Sequence, residues 1–406
     1  MKKLMILGAS YSVVPLIQAA KGLGLYTIAA SIPGSYPGFD QADESCYVDI
    51  TDPAAVTEAA RTLGVDGIAT CCMDVGLRAQ GHACTALGLP GPSREAVELC
   101  TNKYRMKAAF VSGGVNTAKF VQIHSVADLA PAMERLRFPL IVKAVDQMGS
   151  RGIFRCDTPE EVYANYPRSM AASRQDYCLL EEFLVGEMFG MEAMLQNGEL
   201  VYLLPMNNDL RNGNPPFPVG HSVPWDHADT LMDKAREQVL RAAKALGCTD
   251  CPMDFDAMLV DGEVYLIEAT ARAGATGIAD MVSIYYGINY FEVIAALATG
   301  TSVQGYFTGR EKRPCLTRLF ASGGTGKVTE IHQNVAPSEQ IVELTFNIGP
   351  GDEVQVMTNG RDRIGQAIIQ GNSKADCKAC LERVLSGLSL SIEERDHADI
   401  HRYPVL

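Results

Sequence analysis

Asp254-Phe255-Asp256 and, a turn later, Glu268-Ala269-Thr270-Ala271-Arg272 bring three carboxylates, a hydroxyl and a guanidinium into one short stretch. Side chains alternate across a strand, so Asp254 and Asp256 share a face. Glu268, Thr270 and Arg272 share one if the strand stays extended that far. The turn at 260–262 decides whether the two faces coincide. A two-residue Asp-Gly turn would pair Phe255 with Glu268 and oppose the carboxylates. A three-residue loop, Val260-Asp261-Gly262 with Gly262 left-handed, would pair Asp254 with Glu268. The three-residue loop is expected. Carboxylates on facing strands form a hard-oxygen cradle for Mg²⁺, which binds few carboxylates and leaves positions for phosphates. An Arg just beyond can meet charge developing on a transferred phosphoryl group. In isolation the same acids also fit the solvated edge of a hairpin.

Two further segments carry chemistry. Pro139-Leu140-Ile141-Val142-Lys143-Ala144 is an apolar strand ending near a lone Lys, followed by Gly149-Ser150-Arg151-Gly152. Amides of such a loop can nest an anion, with Lys143 as a point charge beside it. Leu179-Leu180-Glu181-Glu182-Phe183-Leu184 is an apolar strand breaking into an acidic segment able to frame an adenine. Each alone is also an ordinary strand end.

The elements around these residues read as α/β. Strand signals at 4–7 and 26–30 flank a glycine turn and a helix at 13–23, the opening of a doubly wound parallel-sheet domain. A helix at 54–63 and a strand at 65–70 continue it, and 88–91 reads as its last short strand and exit. No G-x-G-x-x-G is present, and Ser31 stands where a dinucleotide site would carry an acid. This first domain is expected to be a scaffold. From about residue 93 a helix containing Asn102-Lys103-Tyr104 leads to strands at 138–144, 177–183 and 189–195. The Asn- and Pro-rich stretch 205–227 reads as a long loop, a length that in compact domains is usually functional. A helix at about 230–246, a hairpin at about 253–270 and a helix at about 290–298 follow. From about 314 the chain is β-rich, interrupted by a helix near 374–388. The expected domains are 1–95, 96–310 (α+β) and 311–406 (small and β-rich).

The 406 residues carry 35 Lys plus Arg against 48 Asp plus Glu, a net charge of −13. That balance argues against a broad footprint for nucleic acid or an anionic membrane. No apolar run approaches the roughly 20 residues of a membrane helix. The 12 cysteines are scattered and read as reduced thiols, giving a cytoplasmic expectation.

In order and spacing, Lys103 and the three segments resemble the ATP-grasp superfamily of carboxylate–amine ligases, in the architecture of biotin carboxylase, over about residues 1–310. The resemblance implies that Lys103 and Lys143 hold the α- and β-phosphates of ATP, covered by Gly149, Ser150 and Gly152. It implies that Glu181, Glu182, Phe183 and Leu184 bind adenine, and that Asp254, Glu268 and Thr270 hold Mg²⁺ or Mn²⁺. Arg272, with Lys143, is then catalytic. Thr270 stands where the family usually has Asn. The ribose-binding acid is displaced by one position, leaving Glu187 as its substitute. Glu192 keeps its family place. On the substrate side stand His221, Arg272 and Gly274. The implied reaction joins a carboxylate, an amino acid by closest likeness, to an amine through an acyl phosphate. The implied partners are these two small molecules, with a homodimer through the first domain. The runner-up is a purine-pathway member (phosphoribosylglycinamide synthetase-like) or a carboxylase-like one. A nucleotide-binding protein without turnover is the reading of another class.

Three other patterns are set aside. Cys248-x-x-Cys251 and Cys377-x-x-Cys380 lie far apart with no neighbouring His for a zinc site. Ser322–Lys327 fails the P-loop pattern because Val328 follows the Lys. His221 alone is an ordinary loop histidine.

Overall fold

The computed structural model describes residues 1–147, 149, 151–393 and 400–406. Strands β1 (Lys3–Leu7), β2 (Tyr26–Ser31), β3 (Glu44–Tyr47) and β4 (Gly67–Ala69) form a parallel sheet in the order β3-β2-β1-β4. Leu4, Met5, Ile6 and Leu7 are fully buried, as expected of a parallel strand covered on both faces. The strand order reverses between β1 and β4. The loop leaving β4 therefore opens at the carboxyl ends of the strands, where α/β sheets place ligands. The strand expected at 88–91 is absent. Gly88, left-handed at φ 66°, instead caps the helix Leu77–Leu87.

Strands β5 (Phe120–Ile123), β6 (Leu140–Ala144), β7 (Ile153–Cys156) and β8 (Cys178–Glu182) make a small antiparallel sheet in the order β5-β8-β6-β7. The largest sheet contains β9 (Glu187–Gln196), β10 (Glu199–Arg211), β11 (Phe217–Val223), β12 (Cys251–Val260), β13 (Glu263–Thr270), β14 (Cys315–Phe320), β16 (Ile341–Phe346) and β18 (Gly365–Gln370). Its order is β13-β12-β9-β10-β11-β14-β18-β16. The segment after 310 thus extends this sheet. Its other strands, β15 (Gly326–Gln333), β17 (Glu353–Val354), β19 (Leu388–Glu393) and β20 (Ile400–Pro404), form a sheet of their own.

The expected loop at 205–227 is instead the hairpin β10–β11, with only 212–216 connecting the strands. Asn207 and Asn208 serve the sheet, while Asn212 and Asn214 stand exposed in the turn. Asn207 Nδ2 donates to Ser222 O at 3.1 Å and to Pro224 O at 3.0 Å.

One face of the large sheet is closed by the helix Ala228–Leu246, which buries Ala235, Val239, Ala242 and Leu246 against Phe189, Met191 and Phe255. The other face is covered at one end by the helices Ile278–Tyr286 and Tyr290–Ala298, which join Met194 and Leu204 in a shared core. The helix Tyr290–Ala298 also packs on the first-sheet helix Val14–Gly22. Contact with β4 is close enough to require Gly67, where a Cβ would lie 2.2 Å from Ala298 O. The first sheet is thereby fixed against the large one. Among the described residues no single helix is long and apolar enough to cross a membrane.

Candidate active site

The turn between β12 and β13 holds two residues, Asp261 (φ 50°) and Gly262 (φ 76°), with Val260 paired to Glu263. Positive φ at both positions matches the strand twist of a tight hairpin, and it corrects the expected three-residue loop. Continued unbroken, this register would set Phe255 opposite Glu268. A bulge intervenes, because Ala257 pairs with Leu266 while Asp256 pairs with Glu268, leaving Ile267 over. One extra residue moves every later side chain to the other face. Asp256 therefore faces Glu268 and Asp254 faces Thr270, so the expected Asp254–Glu268 pair is replaced by Asp256–Glu268. β9 sets Gly190 opposite Asp256 and Glu192 opposite Asp254 on the same face.

Asp254 is engaged elsewhere. Arg272 Nη1 donates to Asp254 Oδ2 at 2.7 Å, and Arg272 Nε donates to Asp74 Oδ1, also at 2.7 Å. Asp74 lies in the loop after β4, so one guanidinium ties the first sheet to the large sheet. Thr270 Oγ1 donates to the same Asp74 oxygen at 3.1 Å, and Cys72 N–H to Ala273 O at 3.1 Å. Burial raises the Asp74 carboxyl, but Arg272 outweighs it and holds the group below its ordinary range. At Asp254 burial wins over Arg272 and the carboxyl is raised. Asp256 is pushed up to about 7 by burial, then by the like charges of Asp254 and Glu268.

These acids suit a divalent cation, which would relieve the repulsion around Asp256. Among the described residues no three His, Cys, Asp or Glu side chains converge as a complete metal cage. The facing Asp256–Glu268 pair offers the one or two carboxylates that Mg²⁺ takes while keeping other positions for water and phosphate.

Two lysines border the acids. Asn102 caps the helix Lys103–Ser112 by accepting from Arg105 N–H. Lys103, in its first turn, donates from Nζ to Glu268 Oε1 at 2.7 Å and to Gln147 O at 2.8 Å. Lys143, on the wholly buried β6, donates to Glu181 Oε1 at 2.5 Å. Gly149 (φ 64°) and Gly152 (φ 66°) both take the left-handed conformation. Ser150 lies outside the described residues.

Glu181, next to last in β8, turns its carboxylate inward, where Lys107 Nζ lies 2.9 Å from its second oxygen. The side chain expected at adenine is thus bonded to Lys143 and paired with Lys107. Glu182 accepts from Arg137 N–H at 3.1 Å, Phe183 N–H donates to Pro139 O at 2.8 Å, and the Arg155 guanidinium stacks 4.7 Å from the Phe183 ring. Leu184 follows, half-buried. Glu187 does not reach the site. It alternates with Phe189 and Met191 on the opposite face and meets His227 Nε2 at 2.9 Å.

On the substrate side, His221 is buried in β11, with Nδ1 2.8 Å from Asn208 Oδ1 and Nε2 3.3 Å from Thr276 Oγ1. Burial depresses its pKa to about 4. Gly274 N–H donates to Glu192 Oε2 at 2.9 Å, while Tyr290 O–H donates to Glu192 Oε1 at 2.8 Å. A Cβ on Gly274 would meet Ile278 at 2.9 Å and Glu192 at 3.0 Å. Glu192 thus holds the loop that follows Arg272. Asp74, Lys107 and Asn208 were not singled out by the sequence. Only the Asp254-x-Asp256 alternation hinted that Asp256 shares the site.

The match to known proteins follows the same lines. The family model "Carbamoyl-phosphate synthase L chain, ATP binding domain" matches residues 102–304, and "L-amino acid ligase C-terminal domain 2" matches 318–393. The chain belongs to the ATP-grasp family of ATP-dependent ligases. It is similar to the phosphoribosylglycinamide synthetase of Anaerococcus prevotii, at 34% identity over 96% of this chain and 99% of that one, with a TM-score of 0.81. The formate-dependent phosphoribosylglycinamide formyltransferase of Synechococcus sp. (strain WH7803) is 23% identical over 97% of this chain and 98% of its own length. The L-amino acid ligase of Bacillus licheniformis shares the fold, with a TM-score of 0.84 at 21% identity, covering 97% of this chain and 99% of that one.

Proposed function

We propose that the protein joins the carboxylate of an amino acid to an amine, using ATP and passing through an acyl phosphate. The observation that carries this reading is Asp256 facing Glu268 on adjoining strands, with Lys103 bonded to Glu268 and Arg272 beside Asp254. Asp256 and Glu268 would hold Mg²⁺ or Mn²⁺, which supplies neutralisation of phosphate charge when bound. Lys103 and Lys143 bind the phosphates, with Gly149 and Gly152 beside them. Adenine falls to the segment 182–184. Arg272 meets the charge that develops as the substrate carboxylate attacks the γ-phosphate and as the amine displaces phosphate. Positioning and charge neutralisation supply most of the rate in such transfers.

The substrate lies beyond Arg272, towards Gly274, His221, Asn208 and Thr276. His221 stays neutral there, so this end offers hydrogen bonds and no formal charge. The match of 318–393 to an amino-acid ligase domain supports an amino acid. A phosphoribosyl amine is the second reading, favoured by the 34% identity to the synthetase from Anaerococcus prevotii. Against it, the residues named at the substrate end, Gly274, His221, Asn208 and Thr276, offer hydrogen bonds and no cation to a substrate phosphate, since burial holds His221 neutral. ADP release from Mg-ATP, measured with single amino acids, pairs of amino acids and a phosphoribosyl amine, tests both. Release dependent on amino acids supports the first reading. Release only with the phosphoribosyl amine supports the second. Nucleotide binding without ADP under any condition would leave a binding protein without turnover.

A further inference from the structure

A buried charge cluster lies behind Lys143, and the proposed reaction makes no use of one member of it. Lys107 is one helical turn beyond Lys103 and 1% exposed. Its Nζ donates to Thr117 Oγ1 at 2.7 Å and stands 2.9 Å from Glu181 Oε2. The other oxygen of that carboxylate accepts from Lys143 Nζ at 2.5 Å. Thr117 Oγ1 donates onward to Leu266 O at 2.8 Å, which ties Lys107 to β13, the strand of Glu268. Two lysines from different elements therefore share one carboxylate, and all three side chains are almost fully enclosed.

The charges do not balance: two cations face one anion. An isolated Lys143–Glu181 pair would be neutral, and a buried neutral pair presents little field to an anion outside it. With Lys107 on the second oxygen, the cluster keeps one net positive charge. Lys143 is the member on the β6 strand that leads into the 149–152 loop. We propose that Lys107 is a positioning residue for nucleotide binding: by occupying half of Glu181, it leaves the charge of Lys143 available to the phosphates of ATP. The proposal rests on the reading of Lys143 as a phosphate-binding residue.

The groups that face Lys107 are Glu181 from β8, Lys143 from β6 and the Phe120 ring from β5, at 5.8 Å from its Nζ. Glu268 on β13 acts at longer range, and Lys103 lies one turn earlier on the same helix. Burial lowers Lys107 to about 8, opposed by Glu181 and reinforced by Lys143. Burial would raise the Glu181 carboxyl, but Lys107 and Lys143 together hold it low. As pH rises through 8, Lys107 loses its proton, Glu181 is left wholly to Lys143, and nucleotide affinity falls.

The test is KM for ATP and kcat from pH 7 to 9 in wild type, Lys107→Arg, Lys107→Met and Lys143→Ala. In wild type KM should rise with a midpoint near the pKa of about 8. Lys107→Arg should keep KM low and flat across the range, because a guanidinium holds its proton. Lys107→Met should raise KM by about tenfold or more, the equivalent of one pKa unit. It should be flat with pH, and kcat should change by less than about threefold. A Lys107→Arg profile that titrates like wild type overturns the proposal, even if Lys107→Met fails to fold. So does Lys107→Met with wild-type KM. A Lys143→Ala variant with unchanged KM would instead remove the phosphate-binding reading of Lys143, and the proposal with it.

Discussion

Asp74 and Arg272 stand 198 positions apart in the chain, yet Arg272 Nε donates to Asp74 Oδ1 at 2.7 Å and Arg272 Nη2 to Oδ2 at 3.3 Å. Asp254 takes the remaining corner of the same guanidinium. A planar fork held from two sides cannot swing. The first sheet, expected to be a scaffold, therefore fixes the aim of the residue proposed to meet the reacting phosphate.

Arg272→Ala should cut turnover by about 10²–10³ while leaving ATP binding largely intact, the usual result of removing one donor to developing charge. Asp74→Ala keeps the guanidinium but frees one side of it, and should cost up to about 10² in kcat through misplacement. Steady-state ADP release beside calorimetric nucleotide titration checks both. Unchanged turnover in Arg272→Ala would remove its role.

Asp256 and Asp254 should separate in their response to magnesium. Asp256→Asn is expected to raise the Mg²⁺ concentration needed for half-maximal activity by tenfold or more, on the order of one lost carboxylate ligand. Asp254→Asn should lower kcat with a much smaller change in that concentration, since its oxygen serves Arg272. Magnesium titrations of the two variants decide the matter, and the reverse pattern would restore Asp254 as the metal ligand.

The α/β class, the helices at 54–63 and 290–298 and the strands around Lys143 and Glu181 were legible because each depends on local periodicity and capping. The site was legible as residue types and less so as geometry. A single bulge residue, Ile267, decides which aspartate faces Glu268, and no pattern in the hairpin announces a bulge. Asp74 was invisible because its partner comes from another sheet. The hairpin at 205–223 was misread because Asn and Pro favour turns locally, while here the asparagine amides bond across the strands.

His221 gives a pH signature. Its pKa falls from 6.5 to about 4 in the folded chain, so the unfolded chain binds more protons between those values. The stability tied to neutral His221 is full above pH 6.5 and is lost as pH falls towards 4, by up to about 3 kcal/mol. Denaturant unfolding of wild type and His221→Gln between pH 7 and 4.5 should show a steeper acid loss in wild type. Parallel curves would mean that His221 titrates normally.

Glu192 is fully buried, and burial followed by the charge of Asp254 raises its pKa well above the ordinary value. A neutral amide can accept from Gly274 N–H and donate to Tyr290, so Glu192→Gln should alter stability by less than about 1 kcal/mol. Glu192→Ala leaves both partners unsatisfied and a void, at a cost of about 2–5 kcal/mol. Thermal or denaturant unfolding distinguishes the pair, and equal losses in both would indicate an ionised Glu192.

The central claim is spatial, and a crystal structure with a non-hydrolysable ATP analogue and Mg²⁺ tests it most directly. The expected result is a triphosphate between Lys143 and the Asp256–Glu268 pair, a metal on those two carboxylates, and Arg272 still held by Asp74 and Asp254. A nucleotide bound elsewhere, or a metal on Asp254 with Arg272 released, would contradict it.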